Sequence, residues 1–168
     1  MIPYIIMILS LLLDGLITNY TPYLVNNLSY FTPLLTLVSI LLIYPFFRKD
    51  RQKYFIIAFI LGFLYDLFYT NLFFFNAVLF LVIAYLNTMV QKWTSNNAFN
   101  LLVQAIGTII LYESLTGLVL FIYNMVPISF YKVYYKVIHS LALNVIYVEI
   151  IYFIIKLIPK RYKRISIN

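Results

Sequence analysis

The run Tyr54-Phe55-Ile56-Ile57-Ala58-Phe59-Ile60-Leu61-Gly62-Phe63-Leu64-Tyr65-Asp66-Leu67-Phe68-Tyr69-Thr70 follows directly on Arg48-Lys49-Asp50-Arg51-Gln52-Lys53. Apart from Asp66 it carries no charge, and its length approaches the roughly 20 residues that a helix needs to cross ~30 Å of hydrocarbon. A basic hexamer at its head suits a helix that starts among lipid headgroups. Outward from this stretch, the same pattern recurs. The expected spans are Pro3–Tyr20, Phe31–Phe47, Tyr54–Thr70, Leu72–Val90, Phe99–Asn124 and Val137–Ile158. Pro3 and Pro33 suit first helical turns, where a missing N–H costs nothing. The expected fold is all-α, a single polytopic membrane domain over residues 1–168 with six transmembrane helices.

Composition supports this reading. The 168 residues are 64% hydrophobic and 10% charged, whereas a soluble domain has about 45–50% apolar and about 25% charged residues. The 15 Phe and 17 Tyr suit a lipid-facing surface with aromatic belts. The net charge of +7 does not indicate nucleic-acid binding, which needs Lys and Arg gathered on one water-exposed face. Here they sit in short gaps between apolar runs and in the C-terminal tail, where they suit anionic lipids. The first residues lack a basic region and a small-residue cleavage site, so they read as a retained first span.

The gaps also set an orientation. Ten Lys and Arg fall on one side: Arg48, Lys49, Arg51, Lys53, Lys92, Lys156, Lys160, Arg161, Lys163 and Arg164. Only Lys132 and Lys136 fall on the other, in Met125–Lys136, a stretch expected to lie along the outer interface. The positive-inside rule then places both termini in the cytoplasm. No internal repeat is visible at this level.

Four of the five acids lie within expected spans: Asp14, Asp66, Glu113 and Glu149. A charged carboxylate at mid-span costs at least about 2.5–3.5 kcal/mol. Each acid must therefore face the bundle, face a partner, approach an interface or be protonated, and Asp14 and Glu149 are expected to be buried. Asp14, Asp66 and Glu113 fall in the outer half of the membrane. Two roles remain open for them: lining a docking groove, or hydrogen bonding inside the bundle. Ala58 and Gly62 precede Asp66 at i, i+4, i+8 on one helical face, and small residues so spaced allow close helix approach. Gly107, Ser114 and Gly117 could serve similarly around Glu113. Trp93 suits an interface anchor.

Chemistry-bearing motifs are missing. Cysteine is absent and His139 is the single histidine. No metal-ligand spacing, nucleophile elbow or phosphate-binding glycine loop occurs. No cofactor, metal or catalytic set is expected, and the chain does not read as an enzyme.

Gly62-Phe63-Leu64-Tyr65-Asp66 closing one helix, and Phe75-Asn76-Ala77-Val78 opening the next, resemble the rod shape-determining protein MreD family. So do the early Asp14, the Glu113-Ser114 pair, and Ser140 with Asn144 in helix six. The family usually has a Leu-Gly step just after the turn, where this chain has Phe73-Phe74-Phe75. The resemblance implies a non-enzymatic subunit of the bacterial elongation machinery in the cell membrane. It would dock the bitopic protein MreC and connect through it to MreB filaments, the RodA glycosyltransferase and a class B penicillin-binding protein. Ala58, Gly62, Tyr65, Asp66, Asn76 and Glu113 are the candidates for partner binding or bundle locking.

The rival reading is a substrate-binding component of an energy-coupling-factor vitamin transporter. Such proteins usually carry alanines at helical spacing on helix one, and Tyr4–Leu16 contains none.

Overall fold

Hydrocarbon offers the backbone no hydrogen-bonding partner, so a spanning chain must satisfy its own N–H and C=O groups. The computed structural model describes residues 2–24, 33–70, 74–94, 97–122 and 130–157. Among them every regular element is an α-helix: α1 (Ile2–Leu24), α2 (Leu35–Phe47), α3 (Arg51–Tyr69), α4 (Phe75–Val90), α5 (Ala98–Ile122) and α6 (Phe130–Leu157). The fold is all-α, as the sequence led us to expect. By length and composition α1, α3, α5 and α6 can cross a membrane, while α2 and α4 are shorter apolar helices. At 1.5 Å per residue α2 is about 20 Å long, well short of the hydrocarbon thickness.

Several boundaries differ from expectation. α1 runs on to Leu24 rather than ending at Tyr20, and α2 begins at Leu35 with Leu34 as its N-cap, so Pro33 precedes the helix instead of sitting in its first turn. Arg51–Lys53, expected as loop, form the first turn of α3, because the Asp50 side chain accepts from Lys53 N–H at 3.1 Å and caps the helix. Residues 130–136, expected along the interface, are the first two turns of α6, and Tyr134 there is exposed. Interleaved Lys and Tyr are compatible with a helix that emerges into the headgroups. Residues 31–32, 72–73, 123–129 and 158 of the expected elements, and the basic tail from 159 on, lie outside the described residues.

α2 is the centre of the bundle. All its residues but Pro45 and Phe46 are buried, and a helix that is apolar all round belongs in an interior. It packs against each of the other five helices. Those five form a ring in the order α1, α3, α4, α5, α6. The ring closes where Ser10 Oγ of α1 meets Tyr147 OH of α6 at 2.5 Å. Tyr69 OH of α3 donates to Leu11 C=O of α1 at 2.5 Å, tying a second pair. The most extensive pairings join chain neighbours: α1 with α2, α3 with α4, α5 with α6.

The α3–α4 pair shows why Gly62 is there. A Cβ built on it would fall 2.6 Å from Ala77 Cα, so the start of α4 lies directly on the α3 backbone. Ala58, Gly62 and Asp66 are all buried on this face. The turn that brings α4 back is tight. Phe74 takes a left-handed conformation, φ 62°, the one positive φ at a non-glycine among the described residues. A non-glycine there costs of order 1–3 kcal/mol. Its ring packs against Phe63 and Phe59, with centroids 5.2 and 6.5 Å away. The resemblance noted in the sequence implies a Leu-Gly step in this region, and glycine adopts that conformation freely.

Gly62→Ala must push two backbones apart, and overpacking of this kind costs about 1–3 kcal/mol. The variant should melt earlier than wild type in detergent. An unchanged melting temperature would mean that the α3–α4 contact is looser than described.

Candidate functional site

The polar side chains in the spans separate into two groups at opposite ends of the bundle. The first contains the acids. A helix that begins inside an apolar bundle exposes backbone N–H groups that have no intrahelical partner. At the start of α2, Asp14 of α1 supplies the acceptors. Its Oδ1 accepts from Leu35 N–H, and its Oδ2 from Thr36 N–H, both at 2.8 Å. Thr36 Oγ1 adds a third bond to Oδ2 at 2.5 Å. Asn144 of α6 accepts from Leu34 N–H at 3.1 Å and is itself oriented by donating to Ser140 C=O at 2.8 Å. Asp14 is 1% exposed. The positive end of the α2 dipole is a favourable place for a carboxyl group.

Asp66 repeats the device on α4. Its Oδ2 accepts from Ala77 N–H at 3.1 Å. Its Oδ1 accepts from Asn76 Nδ2 and from Thr70 Oγ1, both at 2.8 Å. Asn76 continues the chain by accepting from Tyr112 OH of α5 at 2.8 Å. Asp66, Asn76 and Tyr112 thus join α3, α4 and α5. Glu113, the next residue on α5, is buried beside them. Tyr65 is half-buried, its ring 5.0 Å from Tyr69 and 5.5 Å from Phe80. The face carrying Ala58, Gly62 and Asp66 is therefore filled by α4 of the same chain. Of the two roles left open for it, the internal lock is the one this geometry supports.

The parallel between Asp14 and Asp66 exposes a repeat that escaped the sequence reading. Leu12-Leu13-Asp14-Gly15-Leu16-Ile17-Thr18-Asn19 and Leu64-Tyr65-Asp66-Leu67-Phe68-Tyr69-Thr70-Asn71 share Leu, Asp, Thr and Asn at the same spacing. In both, the threonine hydroxyl bonds back to its aspartate, Thr18 to the Asp14 carbonyl at 2.7 Å and Thr70 to the Asp66 side chain.

Glu149 corrects an expectation. It is exposed rather than buried. The buried stripe of α6 runs through Ser140, Asn144, Tyr147, Val148 and Ile151. One step past Val148 turns a side chain about 100° round the helix, which takes Glu149 off that stripe.

The second polar group was not foreseen. Tyr54 of α3 donates to Ile40 C=O of α2 at 3.1 Å and accepts from Asn87 Nδ2 of α4 at 2.8 Å. Nearby, Gln91 Nε2 donates to Gln104 Oε1 at 3.0 Å, and Gln104 Nε2 to Thr94 Oγ1 at 2.8 Å, linking α4 to α5. Trp93 is 90% exposed at this end. Among the described residues no three His, Cys, Asp or Glu come together as metal ligands.

Asp14→Asn should set an amide NH2 against one of the two N–H groups of α2, and an unmade buried hydrogen bond costs about 1–3 kcal/mol. We expect a clearly lowered melting temperature in detergent, while Glu149→Gln melts with wild type. Coincident melting of Asp14→Asn and wild type would remove the cap from the account of stability.

Asp14 of the α2 cap, Gly62 and Asp66 near the end of α3, the Asn76-Ala77 step that opens α4 and the Ser140–Asn144 pair of α6 are among the residues that carried the family resemblance, and each is buried where two or more helices meet. Residues 1–161 match the family described as rod shape-determining protein MreD. No curated protein and no solved structure matches the chain. With essentially its whole length covered by that match, this multi-pass helical membrane protein belongs to the MreD family of rod shape-determining proteins.

Proposed function

We propose that the chain is a non-enzymatic membrane subunit of the rod complex that docks an MreC-like bitopic protein. Through that partner it is connected to MreB filaments, a RodA glycosyltransferase and a class B penicillin-binding protein. The observation that carries the reading is the family match over residues 1–161. The geometry agrees with it. Asp14, Asp66, Asn76 and Asn144 are engaged in fixing helix ends, which leaves them holding structure rather than serving chemistry. A chain with this little mass outside its helices acts on its partners through helix faces.

The membrane is the bacterial cell membrane, with both termini in the cytoplasm. Supporting this orientation, Arg48, Lys49, Arg51, Lys53 and Lys92 gather at the end of the bundle where α2 and α4 finish and α3 begins. Such a rim also attracts anionic lipids.

Two measurements test the reading. A reporter active only outside the cell, fused after Asn168, should give no signal, and strong activity there would reverse the orientation. Depletion of the protein should convert rods to round cells, and tagged wild-type protein should bring down the MreC-like protein encoded with it. Unchanged cell shape together with a tightly copurifying vitamin would replace this reading with the transporter component.

A further inference from the structure

Of the acids inside the spans, Asp14, Asp66 and Glu113 are buried among the chain's own helices. Glu149 is the exception. It is exposed, and among the described residues it makes no ion pair or hydrogen bond.

Its depth makes that position costly. The part of α6 that can cross a membrane is Val137–Leu157. At 1.5 Å per residue Glu149 lies about 12 Å from one end of it and about 18 Å from the other. A charged group so far inside hydrocarbon is expensive, and such groups face a bundle interior or meet a partner. Glu149 does not face the interior of this bundle. At about 100° per residue it stands about 140–180° round the helix from Ser140, Asn144, Tyr147 and Ile151 of the buried stripe. Ile146, Ile150 and Phe153 around it are exposed as well, so the carboxyl stands on an otherwise apolar, lipid-facing wall.

The nearest cation on this face is Lys156, also exposed. It lies about 10 Å further along the axis, at the end of the span. Side chains on a helix lean toward its N-terminus, which directs the Glu149 carboxyl away from that end and from the headgroups there. Ala142, Ile146, Glu149, Phe153 and Lys156 are all exposed and follow one another at alternating steps of four and three. That is the spacing of a seam on which a second helix packs, and a single polar residue in such a seam fixes register and partner. Ala142 lets the two backbones approach closely.

The carboxylate selects the occupant of the seam. An acyl chain brings neither a charge nor a donor. A second copy of this chain carries its Lys and Arg at or beyond the ends of its spans, so it brings no cation to this depth. A foreign helix with a basic residue inside its apolar run does.

We propose that this face of α6 docks a partner's transmembrane helix that carries a Lys or Arg within its apolar run, placed to pair with Glu149. The pairing is defined by that chemistry and holds whichever rod-complex protein supplies the helix.

The test uses full-length protein with a photoreactive residue at Phe153, in the membranes of the cells that make it. One membrane protein should be trapped, and its crosslinked helix should carry Lys or Arg at the depth of Glu149. The same probe at Ile8, exposed on α1, should not trap it. Glu149→Gln, expected to melt with wild type, should lower the crosslink at least fivefold. Glu149→Lys should abolish it, and changing the basic residue of the trapped helix to Glu should restore it. Crosslinks to phospholipid alone, to a second copy of this chain or to a helix without a basic residue would overturn the proposal. So would an undiminished crosslink with Glu149→Gln, or equal trapping from Ile8. An intact, charge-dependent crosslink beside a pull-down that lacks the MreC-like protein would sink the docking of that protein and leave the Glu149 seam standing.

Discussion

The N–H groups of Leu34, Leu35 and Thr36 point into a bundle from which water is excluded, and the placement of α2 depends on what meets them. An unsatisfied backbone donor in such surroundings costs several kcal/mol. Asp14 and Asn144 meet all three, and the first turn of α2 can then lie at a depth where helices do not usually begin. A helix of 13 residues cannot serve as an ordinary span. It serves as a core, and the five remaining helices bury their apolar stripes on it. The charge that the sequence places in mid-membrane is in this sense part of the backbone hydrogen bonding.

The same device at Asp66 and Ala77 explains the division of the molecule into two ends. At the acid end, carboxyl groups with several acceptor sites hold helix starts from α2 and α4, and α4 lies directly on α3 at Gly62. At the other end the links are neutral amides and a phenol: Tyr54, Asn87, Gln91 and Gln104. Neutral amide bonds between membrane helices contribute on average only about 0.6 kcal/mol each.

Much of this was legible in the sequence. Long apolar runs and basic gaps give the helices, because the lengths are imposed by the bilayer. The i, i+4, i+8 face of Ala58, Gly62 and Asp66 announced a close approach. It could not name the visitor, since α4 and a foreign helix would place the same demand on Gly62. Asp14 read as a buried acid, but its partners are backbone N–H groups of α2, which leave no mark in side-chain identity. The paired Leu-x-Asp-x-x-x-Thr-Asn segments were present in the letters. They became a repeat only when both aspartates were seen to cap a helix. Glu149 was misread because depth along a helix was weighed without its azimuth.

The bond from Leu34 N–H to Asn144 joins residues 110 positions apart, whereas Asp14 and Thr36 are separated by only 22. During synthesis the first helix can therefore supply its cap to α2 soon after α2 emerges. The remaining donor waits until the last helix has been made. Between those moments the central helix is seated at one side of its first turn and bare at the other. Completion of the core is thus tied to insertion of the last helix, and a chain that stops short of α6 leaves the Leu34 N–H without its Asn144 acceptor.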